Sequence, residues 1–266
     1  MSKRILCAVL TALFLLCAAA EGERRMLCVS VSRYDDGRER IGGVNSARGV
    51  YDALSRAFPD SGYTGTLLTD PDRAELEAAL SALSEAGSEE DTVVIYLNAH
   101  GGSAGGVSWL ETREGTRMTA RELESFTRRI PGKVILLLDF CASGGLIGRE
   151  TAGETEGLDP FASDKYRVLT SCTAKENSYR VARDYVTEEY LATAFARSFC
   201  EGMGWDLIAD VPGPLKADID KTRTVSFDEI YLYTRGRCRY YLSGSGHVQT
   251  VCIGGAPDGL IMAARK

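Results

Sequence analysis

Histidine is nearly absent from the 266-residue sequence, which has only His100 and His247; tryptophan (two) and proline (seven) are also scarce. So little imidazole excludes a multi-histidine metal centre and leaves two candidates for any histidine base. Positive charge is in deficit as well, with 31 Lys and Arg against 37 Asp and Glu, a net charge of -6. That balance argues against nucleic acid as a partner, because phosphate binding rests on basic surface. Eight cysteines in a chain of this length make no disulfide scaffold, and whether Cys200 and Cys238 pair is left open. Past residue 20 no long apolar run occurs, which excludes a multi-span membrane protein. What remains, 44% hydrophobic and 26% charged residues, is the composition of a globular domain.

The first twenty residues stand apart. Lys3 and Arg4 precede an apolar run from Ile5 to Ala20 that closes on Ala18-Ala19-Ala20. A charged start, a short apolar stretch and small residues before a polar one are the marks of a secretory signal peptide. The run falls short of the ~20 apolar residues of a spanning helix. The expected organisation is a signal peptide over residues 1–20 and one domain over 21–266, secreted or extracytoplasmic, without stable membrane insertion after cleavage.

Beyond that segment, strand-like and helix-like patterns alternate. Met26 to Tyr34, Tyr63 to Leu68, Thr92 to Leu97, Val134 to Leu138, Val168 to Cys172 and Val248 to Ile253 read as strands. Helical spacing runs through Val44 to Phe58, then from an Asp70 cap through Leu83, and from Leu191 to Glu201. Thr119 to Glu122 and Ser226 to Glu229 have the spacing of capping boxes. Alternation of this kind predicts a three-layer α/β/α sandwich with a mostly parallel sheet. Gly148 to Lys165 and Gly202 to Thr224 lack periodicity and read as surface loops.

Ligands of an open parallel sheet gather beyond the carboxyl ends of its strands. Two strands end there in reactive residues: one in Asn98-Ala99-His100-Gly101-Gly102, the other in Asp139-Phe140-Cys141-Ala142-Ser143-Gly144-Gly145. If they are neighbours, imidazole and thiol face each other. A thiolate is a nucleophile, a histidine beside it activates it or protonates a leaving amine, and nearby glycines let a peptide approach. His247, in Ser243-Gly244-Ser245-Gly246-His247, reads as a loop residue.

The pair of strands ending in His-Gly and in Asp-x-Cys-x-Ser-Gly resembles the caspase and metacaspase clan of cysteine peptidases, to which legumain-like and clostripain-like enzymes are related. Val168 to Cys172, Glu176 to Arg180, Ala194-Phe195, Val225 to Glu229 and Gln249-Thr250 extend the similarity over nearly the whole domain. The resemblance implies a caspase-like fold and peptide or protein substrates. It implies His100 as base or acid, Cys141 as nucleophile, and an oxyanion hole from the amides of Gly101 and Cys141. It further implies a substrate pocket drawn from Asp139, Arg40, Ser46, Ser171 and Arg180. Asp139 is similar to the metacaspase residue that binds a basic P1 side chain, whereas Ser46 stands where metacaspases have a second acid. Arg40 and Arg180 resemble the arginines with which caspases bind aspartate. An acid with two arginines suits asparagine. Basic P1 is preferred here because Asp139 lies nearest the nucleophile; the alternative is that Asp139 merely pairs with an arginine.

No cofactor or metal is expected for this chemistry. Asp218, Asp220, Thr222, Thr224 and Glu229 have EF-hand-like spacing, but Arg223 stands where that loop needs glycine. Calcium activation elsewhere is left open by the resemblance. With a basic P1, Arg149 and Lys165 are the expected self-cleavage sites around the Gly148–Lys165 loop. Two other functions compete with the exported endopeptidase: a catalytically silent caspase-like interaction module, and a flavodoxin-like binding domain, which lacks a clear phosphate loop after the first strand.

Overall fold

A computed structural model of the chain describes residues 22–37, 43–58, 62–85, 87–148, 159–183, 190–255 and 259–265. The expected signal peptide, Arg40 and Arg149 lie outside the described residues. The first half comprises β1 (Arg24–Ser30), α1 (Gly43–Ser55), β2 (Thr64–Thr69), α2 (Arg73–Glu85), β3 (Thr92–Asn98), β4 (Gly101–Ala104), β5 (Val107–Glu111), β6 (Arg117–Thr119) and α3 (Ala120–Thr127). The second comprises β7 (Lys133–Asp139), β8 (Tyr166–Thr170), β9 (Arg180–Arg183), β10 (Tyr190–Thr193), α4 (Ala194–Gly202), β11 (Trp205–Asp206), β12 (Val211–Pro212), β13 (Thr224–Ser226), α5 (Phe227–Tyr241), β14 (Cys252–Gly255) and β15 (Ile261–Ala264).

The central sheet has the order β14-β8-β7-β3-β1-β2. Every pair in it is parallel except β14 with β8. Strands β3 and β7 run through its middle and are apolar from Val93 to Leu97 and from Val134 to Leu138, as burial on both faces requires. Val94, Tyr96, Ile135 and Leu137 join one core with α1, α4 and α5, while Val93, Ile95, Leu97, Val134, Leu136 and Leu138 join the other with α2 and α3. Each fully buried Leu or Ile contributes roughly 1.5–3 kcal/mol relative to an exposed one. These two layers of helices on a mostly parallel sheet are the expected sandwich.

Local chemistry moves several boundaries. Asp72, not Asp70, caps α2: the Glu75 N–H donates to the Asp72 carboxylate at 2.9 Å, and the Asp72 N–H returns a bond to Glu75. Asp70 sits in the left-handed region at φ 50 and accepts the Ser32 and Arg33 N–H groups. The helix expected from Leu191 begins at Ala194, because residues to Thr193 pair as a strand and the Thr193 hydroxyl caps the helix. Gln249 and Thr250 precede β14 rather than lie on it. The segment 202–224 is no plain surface loop: it folds β11 onto β12 and buries Trp205 and Ala217. Among the described residues all six cysteines are free, Cys200 and Cys238 included. No described helix is long and apolar enough to cross a membrane.

Candidate active site

Strands β3 and β7 are direct neighbours in register Asn98↔Asp139. His100 and Cys141 each lie two residues further on, just past the ends of their strands. The two reactive residues therefore follow the ends of neighbouring strands at the carboxyl edge of the sheet. Both are half-buried.

His100 is held at its backbone. Its N–H donates to the Tyr34 hydroxyl at 2.6 Å, its carbonyl accepts the Glu111 N–H at 2.9 Å, and its ring packs 4.9 Å from that of Tyr34. The Glu111-to-His100 bond makes Gly101 and Leu110 a non-hydrogen-bonded pair, which turns the Gly101 N–H away from β5. A Cβ on Gly101 would come within 2.5 Å of the Phe140 ring, so glycine is required where the two strand ends meet.

Cys141 opens a tight turn. Ala142 after it is left-handed at φ 61, an unfavourable conformation for alanine that the Ala142 N–H bond to the Glu176 carbonyl holds in place. The Cys141 thiol faces the Ser178 carbonyl at 4.0 Å. Burial raises its pKa above the ordinary thiol value, helped by the Asp139 charge, while the Ser178 contact and the residue's own N–H pull the other way. Cys172, behind the turn, donates to the Phe140 and Glu176 carbonyls, and burial lifts its pKa to about 11. It is an inert packing residue.

Asp139 is wholly buried. Its carboxylate accepts the Tyr96 hydroxyl at 2.7 Å, the Ser178 hydroxyl at 2.8 Å and the Thr193 hydroxyl, with Ser171 contributing a further side-chain bond. Burial raises its pKa and the four hydroxyls only partly offset that. No cation among the described residues lies within ion-pair distance of it, Arg180 included, and a pairing with Arg40 lies outside the described residues. Ser46 is buried and accepts the Thr193 N–H at 3.1 Å, one step removed from Asp139. Arg180 pairs in register with Thr193 across β9 and β10 and borders the same cluster.

The structure thus gathers Asp139, Ser46, Ser171 and Arg180 beneath the strand ends. Tyr96 and Thr193 were not singled out from sequence, where a lone tyrosine in a buried run and a threonine at a helix start are their only marks; Ser178 stood only within the Glu176–Arg180 segment. Glu176 ties the Thr173 and Thr250 N–H groups together. His247 is more than a loop residue, since its ring stacks on Tyr179 at 4.1 Å. Lys165, expected as a cleavage site, has its ammonium bound to the Ile130 and Gly132 carbonyls and is not free to enter a pocket. Asp218, Asp220 and Glu229 converge. Their oxygens accept backbone N–H groups of Ile219, Thr222 and Arg223.

A sheet with a histidine and a cysteine at adjacent strand ends defines a class, and the comparisons agree with it. Residues 23–211 match the family model of the caspase domain, and the chain belongs to that family of cysteine-peptidase folds. A search of curated proteins returns no match. Among solved structures the chain is similar to protein GSU0716 from Geobacter sulfurreducens, with 13% identity, a TM-score of 0.61, and coverage of 92% of this chain and 100% of that one. It is similar to caspase-1 from Spodoptera frugiperda, with 12% identity, a TM-score of 0.61 and 92% of each chain covered. The Drosophila initiator caspase Dronc gives 15% identity, a TM-score of 0.58, and coverage of 91% of this chain and 84% of that one. At these identities the likeness is one of fold.

Proposed function

We propose that the protein is an exported cysteine endopeptidase with a Cys141–His100 dyad, and that it cleaves after basic residues. The observation that carries this reading is the β3–β7 register, which brings the ends of the strands before His100 and Cys141 to the same level of the sheet. The Cys141 sulfur attacks the scissile carbonyl as His100 takes the thiol proton. The carbonyl oxygen, negative in the tetrahedral intermediate, accepts the Gly101 and Cys141 N–H groups. As the C–N bond breaks, His100 passes the proton to the leaving amine, and a thioester remains. Water, deprotonated by His100, then releases the acid and restores the thiol.

The basic P1 preference rests on Asp139, a buried carboxylate with hydroxyl partners and, among the described residues, no cation within ion-pair distance. A guanidinium or ammonium reaching it displaces the Ser178 hydroxyl and supplies the missing countercharge. Export rests on residues 1–20 and is tested by sequencing the amino terminus of protein recovered outside the cytoplasm. No metal enters the mechanism.

A second reading is a silent interaction module. It is favoured by the raised Cys141 pKa and by the placement of Ser178, which meets both the thiol and Asp139. Labelling with a peptidyl electrophile ending in arginine decides between the two. The endopeptidase is labelled at Cys141 and loses the label in His100→Ala; absence of label and of turnover on a peptide library leaves the silent module.

A further inference from the structure

We propose that the β4–β5–β6 hairpin forms the leaving-group side of the cleft, and that Trp109 with Arg117 seats a large, flat side chain on the residue after the scissile bond (P1′). The inference deepens the peptidase reading and rests on it. With P1 directed to Asp139, the leaving nitrogen lies on the His100 side, because its proton comes from that imidazole. The residue attached to that nitrogen therefore meets whatever stands beyond His100.

The hairpin stands there. Its register pairs Gly102 with Trp109, and the Glu111 N–H bonds the His100 carbonyl. Alternation then puts His100, Gly102, Trp109 and Glu111 on one face, and Leu110 with Gly101 on the other. Burial agrees, since Leu110 and Met118 are core residues and Trp109 is half-buried. Gly102 has no side chain, so the indole lies directly across it: a Cβ there would sit 3.2 Å from the Trp109 ring.

Trp109 is also braced. Its Nε1–H donates to Glu111 at 3.3 Å, and the Arg117 guanidinium lies over the ring at 3.9 Å while pairing with the same Glu111 at 3.6 Å. The Arg117 side chain remains 59% exposed. A planar guanidinium fixed on an indole offers a flat surface on which a second ring stacks. No side chain of β4 is larger than serine, so nothing on that strand crowds an incoming ring.

The test uses internally quenched peptides that differ only at P1′ and a peptidyl methyl ester with the same P1, whose leaving group is too small to reach the hairpin. Wild-type protein is expected to cleave P1′ Phe, Tyr and Trp about 5- to 10-fold more efficiently than P1′ Gly. Trp109→Ala levels that series and leaves methyl-ester hydrolysis unchanged. Arg117→Gln, at an exposed position, lowers the preference and keeps the fold, so it serves where Trp109→Ala is unstable. A wild-type series flat at P1′, or variants that slow ester and all peptides equally, overturns the subsite while the peptidase stands. Wild-type protein inert toward every substrate overturns the peptidase reading and the subsite with it.

Discussion

Two carboxyls, one buried and one half-buried, are tied to the same helix and behave in opposite ways. At the start of α4, Thr193 hands its hydroxyl to Asp139; near its end, Glu201 is gripped by Lys216, by Arg237 at 2.9 Å and by the Tyr241 hydroxyl at 2.7 Å. Burial works to raise both pKa values. At Glu201 the cations and the tyrosine overcome it and pull the pKa down to about 2, whereas at Asp139 the hydroxyls do not, and the pKa stays raised. Hydroxyls satisfy lone pairs without supplying countercharge. Glu201 has its countercharges within the fold, whereas Asp139 has hydroxyl partners and no described cation beside it. Under the proposed function the first serves stability and the second recognition.

The largest effect expected concerns the nucleophile above Asp139. Cys141→Ala should lower peptide turnover at least roughly a thousandfold, with thermal unfolding shifted little, since the half-buried sulfur adds little packing. Steady-state kinetics and a melting curve check both halves.

Next comes the contrast itself. Asp139→Asn should lower kcat/KM for Arg and Lys P1 by ~30- to 150-fold, the loss of a buried charge partner of about 2–3 kcal/mol, and spare neutral P1 substrates. Glu201→Gln should leave P1 preference unmoved and lower the melting temperature instead. Equal losses over acidic, neutral and basic P1 in Asp139→Asn would make Asp139 a structural residue like Glu201.

Acid titration sharpens the pair further, with opposite signs. Glu201, depressed from 4.5 to about 2, stabilises the fold at neutral pH, and that advantage over Glu201→Gln is lost as pH falls through that window. Asp139 is raised above 3.8, so its contribution relative to Asp139→Asn is greatest below that value and fades as pH rises. Denaturant unfolding of both variants across the acid range reads the two slopes.

Two smaller effects follow. Because burial raises the Cys141 pKa, its alkylation by iodoacetamide in the resting protein should keep climbing with pH through the ordinary thiol value of 9.0, without a plateau near neutrality. Tyr34→Phe removes the acceptor of the His100 N–H and should lower kcat by roughly 5- to 10-fold, the ~1–1.5 kcal/mol of one hydrogen bond, with KM unchanged.

The sheet was legible in the chain because its strands are continuous apolar runs, a pattern that only burial on both faces explains. His100 and Cys141 were legible because each ends such a run just before small residues. The boundaries that moved, the cap at Asp72 and the strand ahead of Ala194, turned on which of several polar residues bonds a backbone N–H, a choice that spacing does not make. The 202–224 expectation failed for a related reason: an absence of periodicity says nothing of which indole a loop buries.

By itself, then, the order of residues determined the alternating elements, the two reactive strand ends and the acid two residues before the thiol, since local periodicity and apolar runs carry that information. Only the tertiary structure decided that β3 and β7 are neighbours in the register that pairs Asn98 with Asp139. Only it surrounded that carboxyl with hydroxyls from Tyr96, Ser171, Ser178 and Thr193, residues as many as 54 positions away in the chain. Partners so distant meet through sheet order and helix packing, which no local stretch of sequence encodes, and it is those partners that set the charge the site presents.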